Sequence, residues 1–127
     1  MARTPDELSA SELEFLAERH LGTLTTMRAD GTPHVVAIAF TYDDGAVSII
    51  SSDRTQKVVN VSERGRAVVC QVDGRRWLAL EGDAEVVRDP AGVALGERLF
   101  ERRYRPVSEN PKRVVIRFQV DRILGRA

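Results

Sequence analysis

An apolar pair, Ile49-Ile50, gives way to two hydroxyls, Ser51 and Ser52, and then to Asp53, Arg54, Thr55, Gln56 and Lys57 where a helical pattern begins. Those types at that spacing suit an anion. The first N–H groups of a helix lack intrahelical acceptors and lie at the positive end of its dipole, so backbone amides can hold a phosphate there. Ser51, Ser52 and Thr55 would add hydroxyls, and Arg54 or Lys57 would add charge. A plainer reading stands beside this one, in which Ser, Asp and Thr are ordinary helix caps and both cations are solvated.

Other chemistries find little support. Two histidines and one cysteine lie far apart in unrelated patterns, so no metal site is expected. No Gly-x-Ser-x-Gly elbow is present for an acyl-transfer serine, and neither a Gly-x-Gly-x-x-Gly turn nor a Walker loop occurs. Cys70 sits in the apolar run 67–72 and reads as a small core residue. No side chain is assigned as catalytic.

The 127 residues fit one domain, expected to span 1–127, with 43% apolar and 30% charged content. Lys plus Arg at 19 balance Asp plus Glu at 19, which argues against a nucleic-acid partner. One local excess stands out. Arg98, Arg102, Arg103, Arg105, Lys112 and Arg113 crowd the C-terminal third, as a solvated face or as an attractor of an acidic ligand. A single cysteine and an N-terminus without the apolar core of a signal peptide predict a cytoplasmic protein, and no run of apolar residues is long enough to span a membrane.

The elements that would position the cradle follow from period and punctuation. Thr4 with Glu7 and Ser9 with Glu12 are both capping boxes, and a helix is predicted over 8–19, with Leu13, Leu16, Ala17 and His20 as its stripe and His20 as its C-terminal cap. From Gly22 the period becomes two, and β-branched residues predict a strand over 23–28. Asp30-Gly31, Asp44-Gly45 and Asp73-Gly74 then separate runs at 33–42, 46–51, 67–72 and 77–87 as hairpin turns. The run 33–42 is apolar on both faces and is expected to be a central strand. Residues 55–64 read as a short helix stopped by Gly65, and Asp89-Pro90 opens another that lasts to about Tyr104. Residues 113–123 alternate as one closing strand. The result is a mainly β fold with helices: an antiparallel, Greek-key-like barrel of about six strands.

The residues also carry a resemblance. His20-Leu21, the run 24–36, Gln56-Lys57 with Asn60, the run 71–78 with Glu81-Gly82, and 113–116 resemble the split β-barrel flavin/deazaflavin oxidoreductases, across about 14–125. That superfamily holds the pyridoxamine phosphate oxidases. The run 70–78, Cys-Gln-Val-Asp-Gly-x-Arg-Trp-Leu, is most similar to its branch that uses the deazaflavin coenzyme F420, above all to the F420-dependent biliverdin reductases. The resemblance implies an FMN-binding split barrel type of fold and a homodimer with cofactor clefts at the interface. It also implies hydride transfer from reduced F420 to a conjugated small molecule such as biliverdin.

By the same resemblance, the backbone of His34, Val35, Val36, Ala37 and Ile38 lies along the deazaflavin. Ser51, Ser52, Arg54, Gln56, Lys57 and Asn60 serve its phosphate and ribityl tail, and Arg75, Arg76, Trp77 and Leu78 close the cleft from the partner chain. Several roles stay open. Trp77 is either a cleft wall or dimer packing, His34 either bonds the cofactor or is an exposed strand-end histidine, and the proton comes from Arg28, Arg76 or water. Asp53 departs from a phosphate cradle unless it turns outward or pairs with Arg54. Rival readings are the same barrel with FMN, as oxidase or flavin reductase, and a carrier of F420 without turnover.

Overall fold

Both N-terminal boxes form. In the computed structural model, which describes residues 2–127, Thr4 and Glu7 close a 3-10 turn at Pro5–Glu7, and Ser9 with Glu12 caps α1, Ala10–Ala17. The helix is shorter than 8–19. Glu18 turns extended at ψ 150°, so His20 lies beyond the helix and its Nε2 sits 2.9 Å from Glu18 Oε1 instead of capping. The buried face also differs from the expected stripe: Phe15 and Leu16 enter the core while Leu13 is 47% exposed.

Eight strands follow: β1 Gly22–Met27, β2 Pro33–Ile38, β3 Thr41–Asp43, β4 Ala46–Ser52, β5 Arg66–Asp73, β6 Arg76–Val87, β7 Arg113–Gln119 and β8 Arg122–Arg126. Two helices interrupt them, α2 Gln56–Arg64 and α3 Pro90–Arg103. The count exceeds six because two apolar runs each break in the middle. Ala39-Phe40 separates β2 from β3, and Val120-Asp121 separates β7 from β8, although neither gap contains Gly or Pro. At the second gap the amides of Val120 and Asp121 bond the carbonyls of Gly45 and Glu81, across to other strands.

All pairings are antiparallel, in the order β2-β1-β5-β6-β7-β4-β3, with β8 also on β6. The long β6 joins two halves: residues 76–83 pair with β5, while 84–87 pair with β7. Gly82 marks that change of partner. A Cβ there would stand 2.1 Å from the Gln119 carbonyl oxygen, so only glycine lets the two backbones pass this closely. Between the halves lies one core around Phe15, Leu24, Phe40, Ile49, Leu80 and Phe118, all essentially inaccessible.

The strand expected to be central is an edge. β2 pairs only with β1, and its residues alternate between exposed and half-buried. Its apolar outer face has no cover within the chain. Register places Val35, Met27, Val72, Trp77 and Leu124 on that same face of the sheet, each more than a third exposed. No helix among the described residues is long and apolar enough to cross a membrane.

Candidate functional site

The predicted cradle forms where β4 hands over to α2. Thr55 is the N-cap, yet its side chain does not cap the helix; its hydroxyl bonds the Ser52 carbonyl at 3.1 Å and lies 3.2 Å from the Ser51 hydroxyl. By contrast Ser9 and Asp89 cap α1 and α3. The first N–H groups of α2 therefore keep their donors for another acceptor. Arg54 just ahead of the helix adopts φ 66°, a left-handed conformation uncommon outside glycine, which turns the chain sharply into α2.

Charge at this corner is uneven. Lys57 is half-buried, makes neither hydrogen bond nor ion pair among the described residues, and burial pushes its pKa down. A cation in such a place is stabilised by an anion that arrives from outside. Asp53 does not oppose one, because its carboxylate is bound by Arg88, which holds it below the usual carboxylate range. The partner is Arg88 and not Arg54, whose backbone amide alone donates to Asp53, at 2.9 Å. Sequence spacing could not have found Arg88, 35 residues away at the end of β6.

The polar residues under the cradle are fixed by one another. Asn60 is 1% exposed; it donates to Thr26 Oγ1 at 3.0 Å and accepts from Gln56 Nε2 at 2.7 Å. Ser52 Oγ accepts from Asn110 at 2.9 Å, a further residue that no motif announced. Thr26 pairs with His34 across β1 and β2, so the His34 ring lies on the sheet face that carries Asn60. Its Nδ1 is buried without a partner. Uncapped amides, an unpaired half-buried lysine and an orphaned ring nitrogen together fit a phosphorylated ligand laid from α2 toward β2.

The remaining predicted residues lie elsewhere in the chain. Val35 and Ala37 face outward, while Val36 and Ile38 pack against the core, so the β2 edge offers backbone groups along its length. Arg75, Arg76 and Trp77 stand at the β5–β6 hairpin, and β6 runs from there to Val86 and Val87, beside the β7 residues that pair with Ser51 and Ser52. That path is roughly 36 Å long at about 3.3 Å per residue. Hairpin and cradle thus belong to opposite ends of β6. Arg76 is held by Glu18 at 2.9 Å and by Asp73, and lies over the Phe15 ring. Trp77 covers Gly125, while the Leu78 side chain is enclosed by the core.

Fold and corner define a split β-barrel with an uncapped helix N-terminus beside a half-buried lysine. The comparisons agree: the sequence pattern described as pyridoxamine 5'-phosphate oxidase matches residues 8–127, and the chain belongs to that family. It is 48% identical over 129 residues to the F420H(2)-dependent biliverdin reductase of Mycobacterium tuberculosis (strain CDC 1551 / Oshkosh), covering 100% of this chain and 94% of that one. Among solved structures it resembles an F420 reductase (28% identity, TM-score 0.74, 87% of this chain and 94% of that one). It also resembles a conserved hypothetical protein of Mycobacterium tuberculosis (27% identity, TM-score 0.78, 95% and 87%).

Proposed function

We propose that this chain is an F420-dependent reductase that acts as a homodimer, with biliverdin as its substrate. The observation that carries the reading is the α2 corner, where Lys57 and the uncapped amides await an anion. The relative at 48% identity, itself named an F420H(2)-dependent biliverdin reductase, supports the choice of coenzyme and substrate. Ser51, Ser52, Arg54, Gln56, Lys57 and Asn60 would hold the phosphate and the chain attached to it. The β2 edge from His34 to Ile38 would offer backbone groups to the ring system.

When bound, the reduced coenzyme supplies the hydride, and the protein supplies position and exclusion of water. What these residues do is therefore mostly to hold. The Lys57 ammonium neutralises a phosphate oxygen, Asn60 keeps Gln56 and Thr26 in place, and His34 Nδ1 is free to exchange one hydrogen bond with a ligand atom. Arg76 is poorly suited as a proton source, because its two carboxylate partners, Glu18 and Asp73, raise its pKa above the ordinary arginine value. Arg28 is tied to the Pro33 carbonyl at 2.7 Å, at the turn that opens β2.

The second copy accounts for the bare apolar face of β2, β1, β5, β6 and β8, since exposed patches of this kind mark association surfaces. It also gives the hairpin residues Arg75, Arg76, Trp77 and Leu78 a cleft to close, on the neighbouring chain. Mixing the protein with reduced F420 and biliverdin tests the reaction. Coenzyme oxidation that depends on both protein and biliverdin is expected, and coenzyme binding without oxidation would reduce the protein to a carrier.

A further inference from the structure

We infer that a recess at the far end of β2 recognises carboxylates of the molecule being reduced, an inference that rests on the coenzyme reading above. The recess is lined by Arg19, His20, Ala39, Phe100, Tyr104 and Arg105 and holds about 290 Å³. Its place is what ties it to the reaction. His34 stands at the cradle end of β2 and Ala39 just past its other end, roughly 17 Å along the strand at about 3.3 Å per residue. A ligand anchored at α2 and laid along β2 points at the recess, so a second molecule stacked on it would lie there.

The walls are built and fixed. Tyr104 Oη donates to the His20 carbonyl at 2.6 Å and accepts from the Phe40 amide at 3.2 Å, tying the end of α3 to the segment after α1. Arg103 bonds the carbonyls of Glu18 and Phe40 and the side chain of Gln71, and lies over the Phe40 ring. The floor is aromatic, with Phe100 and Tyr104 rings 5.1 Å apart, which suits a flat conjugated body.

The rim is cationic without compensation. Arg19 and Arg105 are exposed and form neither hydrogen bond nor ion pair among the described residues. Glu18, next to Arg19, binds Arg76 with Asp73, and Glu101, four residues before Arg105, accepts the Val107 amide. Arg103, although charged, meets carbonyl and amide oxygens only. Two planar guanidinium groups without a carboxylate partner among the described residues, that of Arg105 over the Phe100 ring at 5.8 Å, match a conjugated dicarboxylate, the class to which a propionate-bearing linear tetrapyrrole belongs. This assigns a task to the arginines at the end of α3, which the cradle leaves unused.

The test is a set of binding titrations of the purified protein, independent of turnover. Biliverdin and its dimethyl ester are followed by absorbance and F420 by fluorescence, for wild type, Arg19→Ala/Arg105→Ala and Lys57→Ala. Both arginines are exposed, so the double variant should fold. It is expected to bind biliverdin about tenfold more weakly, as the loss of charge-assisted contacts implies, with F420 affinity unchanged. The ester should bind wild type about as weakly as the acid binds the variant. Lys57→Ala should show the converse pattern, losing F420 and keeping biliverdin. Wild type that ignores biliverdin, or that binds acid and ester alike, overturns the subsite, as does a double variant that loses F420 equally. If F420 binds none of the proteins while the biliverdin pattern holds, the coenzyme reading fails and the subsite stands.

Discussion

Lys57 is the residue on which the proposed cradle depends most, because it is a half-buried cation with no partner among the described residues. Lys57→Ala is expected to weaken F420 binding by about 1.5–3 kcal/mol, the range for a hydrogen bond to a charged group, with thermal stability unchanged or raised. An unchanged dissociation constant would remove it from the site. Glu12 shows the opposite case of a buried charge fully matched. It takes two bonds of 2.8 Å from Arg3, and that contact holds its pKa at about 2, against an ordinary 4.5. The contribution is present above pH 4.5 and is lost as pH falls toward 2. Glu12→Gln should therefore destabilise by roughly 3 kcal/mol at neutral pH, and by progressively less below pH 4.5. Urea unfolding at several pH values checks this, and a gap independent of pH would contradict it. Part of this was legible in residue types: Ser51 to Lys57 read as a strand passing into a helix, and Ser9 with Glu12 as a capping box. Arg3, Arg88 and Asn110 were not, since partners distant in the chain leave no local pattern.

The three Asp-Gly turns, α2 with its Gly65 stop and α3 with its Asp89 cap were readable because each is fixed by local backbone chemistry; Gly65, for one, adopts φ 48°. Strand breaks were not readable. Apolar periodicity continues through Ala39-Phe40 and Val120-Asp121, where the backbone bonds residues distant in the chain, Arg103 and Tyr104 at the first break and Gly45 and Glu81 at the second. Nor could the pattern separate an apolar strand in mid-sheet from one at the edge, so β2 read as central. The element that makes the fold is β6, and Gly82 lies just before the point, between Asp83 and Ala84, where it changes partners. Gly82→Ala should destabilise by about 1–3 kcal/mol or more, since the added methyl meets the Gln119 backbone and not a movable side chain. Wild-type stability in chemical unfolding would show that the crossing has slack.

Taken whole, the molecule leaves one apolar sheet face exposed, and the proposed second copy would cover it and bring the hairpin to the cradle. Val35→Asp, on the edge strand and 56% exposed, should give a monomer in sedimentation, with F420 binding weakened because the closing hairpin is lost. A wild-type monomer would leave the apolar face unexplained. The central claim is narrower: the α2 corner holds the phosphate of a deazaflavin coenzyme. Its most direct test is a fluorescence titration of the purified protein with F420 and, separately, with FMN. The account predicts saturable F420 binding in the micromolar range or tighter, on the order of −8 kcal/mol. Tight FMN binding with no response to F420 would contradict it.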